Sequence, residues 1–100
     1  MTFCVESKNG IPIRLNDERW AHITEEHSEL AGLRPDVLET VVDPARIVAG
    51  GDWELLAVRE FEPGKFMVVV YRERGTDGFI ITAFLTRRIN SLDRRTQLWP

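Results

Sequence analysis

One hundred residues carry 13 basic and 16 acidic side chains, one cysteine and a net charge of −3. Domains usually run to about 100–200 residues, so residues 1–100 form one domain around one core. An apolar fraction of 43% with 29% charged residues excludes a disordered or fibrous chain, and the negative total excludes a globally basic nucleic-acid coat but not a local basic site.

Phe3 to Val5 and Ile11 to Leu15 read as short strands on either side of an Asn9-Gly10 turn. Cys4 has no second cysteine to bridge, so it reads as a small hydrophobe of a strand in a chain suited to a reducing cytoplasm. Met1 to Gly10 lacks the apolar run of a signal peptide. The longest apolar run, Phe66 to Tyr71, is far short of the ~20 residues of a membrane helix, so a cytoplasmic protein with no membrane partner is expected. Asn16 is a helix N-cap, and Asp17 and Glu18 suit the positive end of the helix dipole. The first helix is predicted over Asp17 to Glu29, with Gly32 as its stop. The second is predicted over Pro35 to Val42, with Val37, Leu38, Val41 and Val42 as its apolar stripe.

After Asp43-Pro44 the periodicity changes. Ile47 and Val48 lead into Gly50-Gly51. Strands are then predicted over Trp53 to Phe61, Lys65 to Glu73 and Phe79 to Thr86, separated by turns at Pro63-Gly64 and Gly75 to Gly78. The last two are apolar on both sides, so both faces are partly covered or one lines a cleft. Arg87 to Leu98 is read as a short helix or an extended tail. Helices first and an antiparallel meander of three or four strands after them make an α+β domain with the helices on one sheet face.

The chain has no Walker loop, no dinucleotide-binding glycine fingerprint, no paired cysteines and no His-Glu-x-x-His motif. Its two histidines, His22 and His27, fall within the first predicted helix, separated by roughly 140° around its axis. His27 lies on the stripe of Trp20, Ile23 and Leu30, where it is either a packed neutral imidazole or a general base at a helix end. His22 lies among Glu18, Glu25, Glu26 and Glu29, which favour the imidazolium and an upward pKa shift. With Glu26 it makes only two metal ligands, so no metal site is assigned. Arg59, Tyr71, Thr82, Thr86 and Arg87 are polar positions on or beside apolar strands. Thr82 and Thr86 share a face with Phe84 between them. Arg59 shares the parity of Leu55 and Ala57, so it needs an anion or a carboxylate, and Glu60 and Glu62 point the wrong way. The tail adds Arg87, Arg88, Arg94 and Arg95 against Asp93 alone. The chain has 11 arginines and two lysines, and arginine forks onto phosphate where lysine is a point charge.

Ile13 to Leu30 (IRLNDERWAHITEEHSEL), Val37 to Val48 (VLETVVDPARIV), Leu55 to Glu60 (LLAVRE) and Phe79 to Arg88 (FIITAFLTRR) resemble the small phage and bacterial nucleases of the barnase, EndoU, colicin and RelE superfamily. The resemblance implies two N-terminal helices on a curved, mainly antiparallel four-stranded sheet whose concave face holds RNA. It also implies a small antitoxin protein encoded nearby as a partner. The helix histidines of the superfamily match His22 and His27, its basic strand residue matches Arg59, its last-strand polar positions match Thr82 and Thr86, and the basic residue after them matches Arg87. The superfamily's late histidine or tyrosine is represented only by Tyr71, one strand earlier.

The expected activity is a metal-independent, cofactor-free endoribonuclease acting by 2′-hydroxyl attack. His27, or else His22, is the base. Arg59 and Arg87 stabilise the phosphorane, while Tyr71, Thr82 or Thr86 orient the phosphate. Arg88, Arg94 and Arg95 hold RNA. The alternatives are a catalytically inactive RNA- or protein-binding module of a toxin–antitoxin or phage-derived system, and a regulatory partner that binds only protein.

Overall fold

Asn16 turns the chain from strand to helix. The computed structural model describes residues 1–100. Strand β1 (Thr2–Glu6) pairs antiparallel with β2 (Pro12–Asn16) through a turn in which Gly10 has φ +78°. A positive φ there suits glycine, which has no Cβ to clash. Ile13 and Leu15 are buried while Arg14 and Asn16 are exposed, the alternation of a strand with one covered face. The Asn16 side chain then accepts from Arg19 N at 2.7 Å and opens α1 (Asp17–Glu26).

Helix α1 ends three residues before the expected Glu29. His27 leaves helical geometry (φ −131°, ψ 73°), although its N–H still donates to Ile23 O. A 3-10 turn (Ser28–Leu30) and Gly32 (φ +80°) lead to α2 (Arg34–Val42), which has Pro35 in its first turn and Val37 and Val41 buried.

The remaining elements are β3 (Arg46–Ala49), β4 (Leu55–Glu62), β5 (Lys65–Arg74), β6 (Asp77–Thr86), α3 (Ile89–Asp93) and β7 (Gln97–Trp99). They join the hairpin in one seven-stranded mixed sheet of order β1-β2-β6-β5-β4-β3-β7, in which β2 and β6 run parallel and all other neighbours antiparallel. This corrects the expected four-stranded sheet with two helices. The hairpin adds two strands through contact of Ile13 and Arg14 with Gly78 and Phe79. The tail returns as β7 on the outer edge of β3, and its five-residue helix α3 is the third helix. Trp53 also lies outside β4, with φ 66° and 90% exposure.

The sheet is covered on both faces, unequally. Helix α2 and Ile23 of α1 pack over Ile13, Leu15, Ala57, Met67, Val69 and Tyr71. On the other face Leu92 of α3 packs over Val48, Leu56, Val58 and Val68, and the Arg46–Asp93 ion pair at 2.7 Å ties α3 to β3. The apolar run of β5 thus has both its sides accounted for. The second face is left uncovered over β1, β2 and part of β6, where Cys4, Arg14 and Asn16 are exposed. No helix is long and apolar enough to cross a membrane.

Candidate functional site

Helix α1 follows β2 without a loop, so it continues along the outer edge of β6 beyond the point where β2 stops pairing. Arg19 borders a depression with Phe79 and Ile80, and His22 borders another with Ile81 and Thr82. His27 sets its ring 6.0 Å from that of Phe84, tilted by 37°. Both histidines therefore lie along one strand edge. The helical-wheel separation does not apply to His27, because the helix has ended before it.

The register of β5 on β6 explains why threonine meets histidine. Val70 is opposite Thr82 and Tyr71 opposite Ile80, so Ile81 is the extra residue of a bulge. Bulges bend a strand and re-aim its side chains, and they recur beside active sites. Thr82, Phe84 and Thr86 follow the bulge in phase with Val70, Val68 and Phe66.

The His22 depression is about 240 Å³ and is lined by Arg19, His22, Ile23, Glu26, Ile81 and Thr82. The Thr82 Oγ1 is buried and has no hydrogen-bond partner. Buried hydroxyls are normally paired, and this one belongs to a residue that lines the depression together with His22 and Arg19. Arg19 takes part in no ion pair of the chain. His22 Nδ1 lies 3.8 Å from Glu25 Oε2, and His27 Nδ1 lies 3.9 Å from Glu29 Oε2. Each imidazole therefore has a carboxylate on its Nδ1 side. Glu26 entered the sequence reading only as an acidic neighbour of His22 and a second metal ligand, and Arg19 was not singled out. The signal for Arg19 is its spacing from His22, three residues before it on the same face of the helix.

The other expected site residues are elsewhere. Arg59 lies on the α2 face, with Nη1 3.6 Å from Glu39 Oε1, and lines a separate depression with Asp36, Thr40 and Glu60. Tyr71 is 0% exposed beneath α2, with its hydroxyl unpaired. Burial, with the nearby Glu73 charge, holds its pKa well above the usual phenol value. Neither residue lines the His22 depression.

Thr86 accepts from Arg88 N at 3.0 Å and ends β6. Arg87 reaches Pro63 O at 3.5 Å, at the β4–β5 turn. Arg95 donates to Ala49 O at 3.2 Å, and Arg94 caps α3. The four tail arginines make no ion pair, and none lines the His22 depression. No group of three or more His, Cys, Asp or Glu side chains is arranged to hold a metal ion.

No protein-family model matches the chain, and no curated protein and no solved structure matches it either.

Proposed function

We propose that the chain is a cytoplasmic, metal-independent endoribonuclease of the kind its sequence resembles, with its reaction centre at the α1–β6 edge. The observation that carries this reading is that His22, Thr82 and Arg19, which takes part in no ion pair, line one depression, with the Thr82 hydroxyl buried and unpaired behind its surface. A phosphodiester needs those three functions: a base near neutral pH, a cation for developing charge and a hydroxyl to hold a phosphoryl oxygen.

In the proposed reaction His22 takes the proton of a ribose 2′-hydroxyl. The 2′-oxygen attacks the adjacent phosphorus, forming the O2′–P bond as the P–O5′ bond breaks. His27, further along the same strand edge, gives a proton to the departing 5′-oxygen. Arg19 offsets the added charge of the phosphorane, and Thr82 donates to one of its oxygens. The nucleophile belongs to the substrate, so the scheme uses no cofactor. Glu26 is the one carboxylate in the depression. It lies one helical turn from His22.

The test is cleavage of a short single-stranded RNA with excess EDTA. The expected products end in 2′,3′-cyclic phosphate. His22→Ala and His27→Ala are each expected to lower the rate by about 100-fold or more, and Thr82→Val to lower it without loss of folding. Loss of activity in EDTA, equal cleavage of DNA, or full activity of His22→Ala would sink the mechanism.

A second reading is favoured by the absence of Arg59 and Tyr71 from the depression. In it the same edge binds RNA, or a small partner protein encoded nearby, without cutting. Expression toxicity that survives the double substitution of both histidines supports it over the first.

A further inference from the structure

A second depression adjoins that of His22 and shares Arg19 with it. It measures about 310 Å³ and is lined by Thr2, Arg14, Asn16, Arg19, Phe79 and Ile80. It lies on the uncovered part of the sheet, where Arg14 and Phe79 are register neighbours across the parallel β2–β6 pair.

Its residues divide by task. Ile80 is 1% exposed and belongs to the α2-side core. Phe79, its neighbour on the strand, therefore points to the other face and remains half-buried there, outside both cores. Arg14 gives one terminal nitrogen to Asp77 Oδ2 at 2.7 Å. A guanidinium has five N–H donors, so most of its fork stays open. The backbone N–H of Arg19 is fixed by the Asn16 cap at 2.7 Å, while its guanidinium takes part in no ion pair. A flat apolar ring flanked by two guanidinium groups suits a stacked base and the phosphate attached to it. An acidic peptide would use the arginines but has no use for the ring. A duplex hides the base faces that the ring would meet.

We infer that this depression is a nucleotide subsite for single-stranded RNA: the base beside the scissile phosphate stacks on Phe79, and Arg14 and Arg19 hold its phosphate. The inference rests on the proposed nuclease reading. Arg19, on the shared border, links the bound nucleotide to the phosphate that His22 and Thr82 address.

The test measures binding of a fluorescent single-stranded 2′-O-methyl RNA, which cannot be cleaved, to the whole chain. Phe79→Leu is expected to weaken binding roughly tenfold, the scale of one base–aromatic stack, while Phe79→Tyr retains it. Arg14→Gln is expected to weaken binding and flatten its salt dependence. With cleavable RNA, Phe79→Leu raises KM and leaves kcat unchanged. Wild-type affinity in Phe79→Leu, or equal competition by duplex RNA, overturns the inference, as does an acidic peptide that displaces the RNA and binds Phe79→Leu unchanged. If Phe79→Leu does not fold, the exposed Arg14 decides, and wild-type affinity and salt slope in Arg14→Gln overturn the subsite. Binding that depends on Phe79 without any cleavage removes the nuclease reading and leaves the subsite. Cleavage indifferent to Phe79 does the reverse.

Discussion

Arg59 of β4 and Glu39 of α2 face each other across the helix–sheet interface, with Nη1 3.6 Å from Oε1. The pair answers only in part the problem that an arginine raises on an apolar strand face, because Nη1 is buried and makes no hydrogen bond at this distance. Leu55, Ala57 and Phe61, its neighbours in parity, pack in the core beneath α2. The guanidinium stem lies along that apolar surface while its head meets a helix carboxylate.

Arg59 is therefore expected to be structural. Arg59→Gln should leave RNA cleavage within about twofold of wild type, where loss of a residue acting at the phosphate would cost about 100-fold or more. The Arg59–Glu39 coupling in a double-mutant cycle of denaturant unfolding should be about 0.2–1 kcal/mol, since both side chains are substantially exposed, at 40% and 57%. A folded Arg59→Gln protein without activity would restore Arg59 to the site.

Tyr71 is the only tyrosine of the chain, so tyrosinate absorbance reports it alone. Its pKa is raised from the ordinary 10.0 by burial. The folded state then keeps its proton at pH values where the unfolded state loses it. The resulting stability is complete below pH 10 and falls as pH rises beyond it, by about 1.4 kcal/mol per pH unit. Absorbance should show no titration near pH 10, and tyrosinate should appear only with alkaline unfolding. A reversible step near pH 10 in the folded protein would contradict the burial. Tyr71→Phe removes an unpaired buried hydroxyl and is expected to stabilise the fold by about 1 kcal/mol, with cleavage retained.

Gly78 sits where β2 joins the sheet, opposite Ile13 on one side and Glu73 on the other. A Cβ there would lie 2.5 Å from Arg72 O and 2.6 Å from Ile13 Cδ1. The backbone oxygen cannot swing aside, so Gly78→Ala is expected to cost about 1–3 kcal/mol through overpacking. The loss should be local. Ile13 and Arg14 are the only β2 residues paired with β6, so amide exchange should accelerate first in the β1–β2 hairpin. Unchanged exchange in β1 and β2 would refute this account of the junction.

Local chemistry made several elements legible before the fold was known. Asn16 was recognisable as a cap because its side chain satisfies a nearby amide, and Pro35 as a first-turn residue because it lacks an N–H. The long β5 and β6 followed from their apolar runs, and the shared face of Thr82, Phe84 and Thr86 from the period of a strand. The short strands were harder. Arg46–Ala49 and Gln97–Trp99 have four and three residues, too few for a periodicity, and each depends on its partner. The exposed Trp53 read as the start of β4 because aromatic residues favour strands, but its positive φ puts it in the preceding loop.

By itself, then, the amino-acid sequence determined the Asn16 cap, the turns, the apolar runs of the long strands and the two histidines worth attention. These rest on hydrogen bonds and steric periods that span only a few residues. Tertiary structure alone decided that β2 would lie parallel to β6 and send α1 along its edge, bringing Arg19 and His22 to Thr82. It alone gave Arg59 to Glu39 and buried Tyr71 away from that edge. Those outcomes depend on which distant apolar surfaces cover one another, a competition settled by burial over the whole core rather than within any one segment.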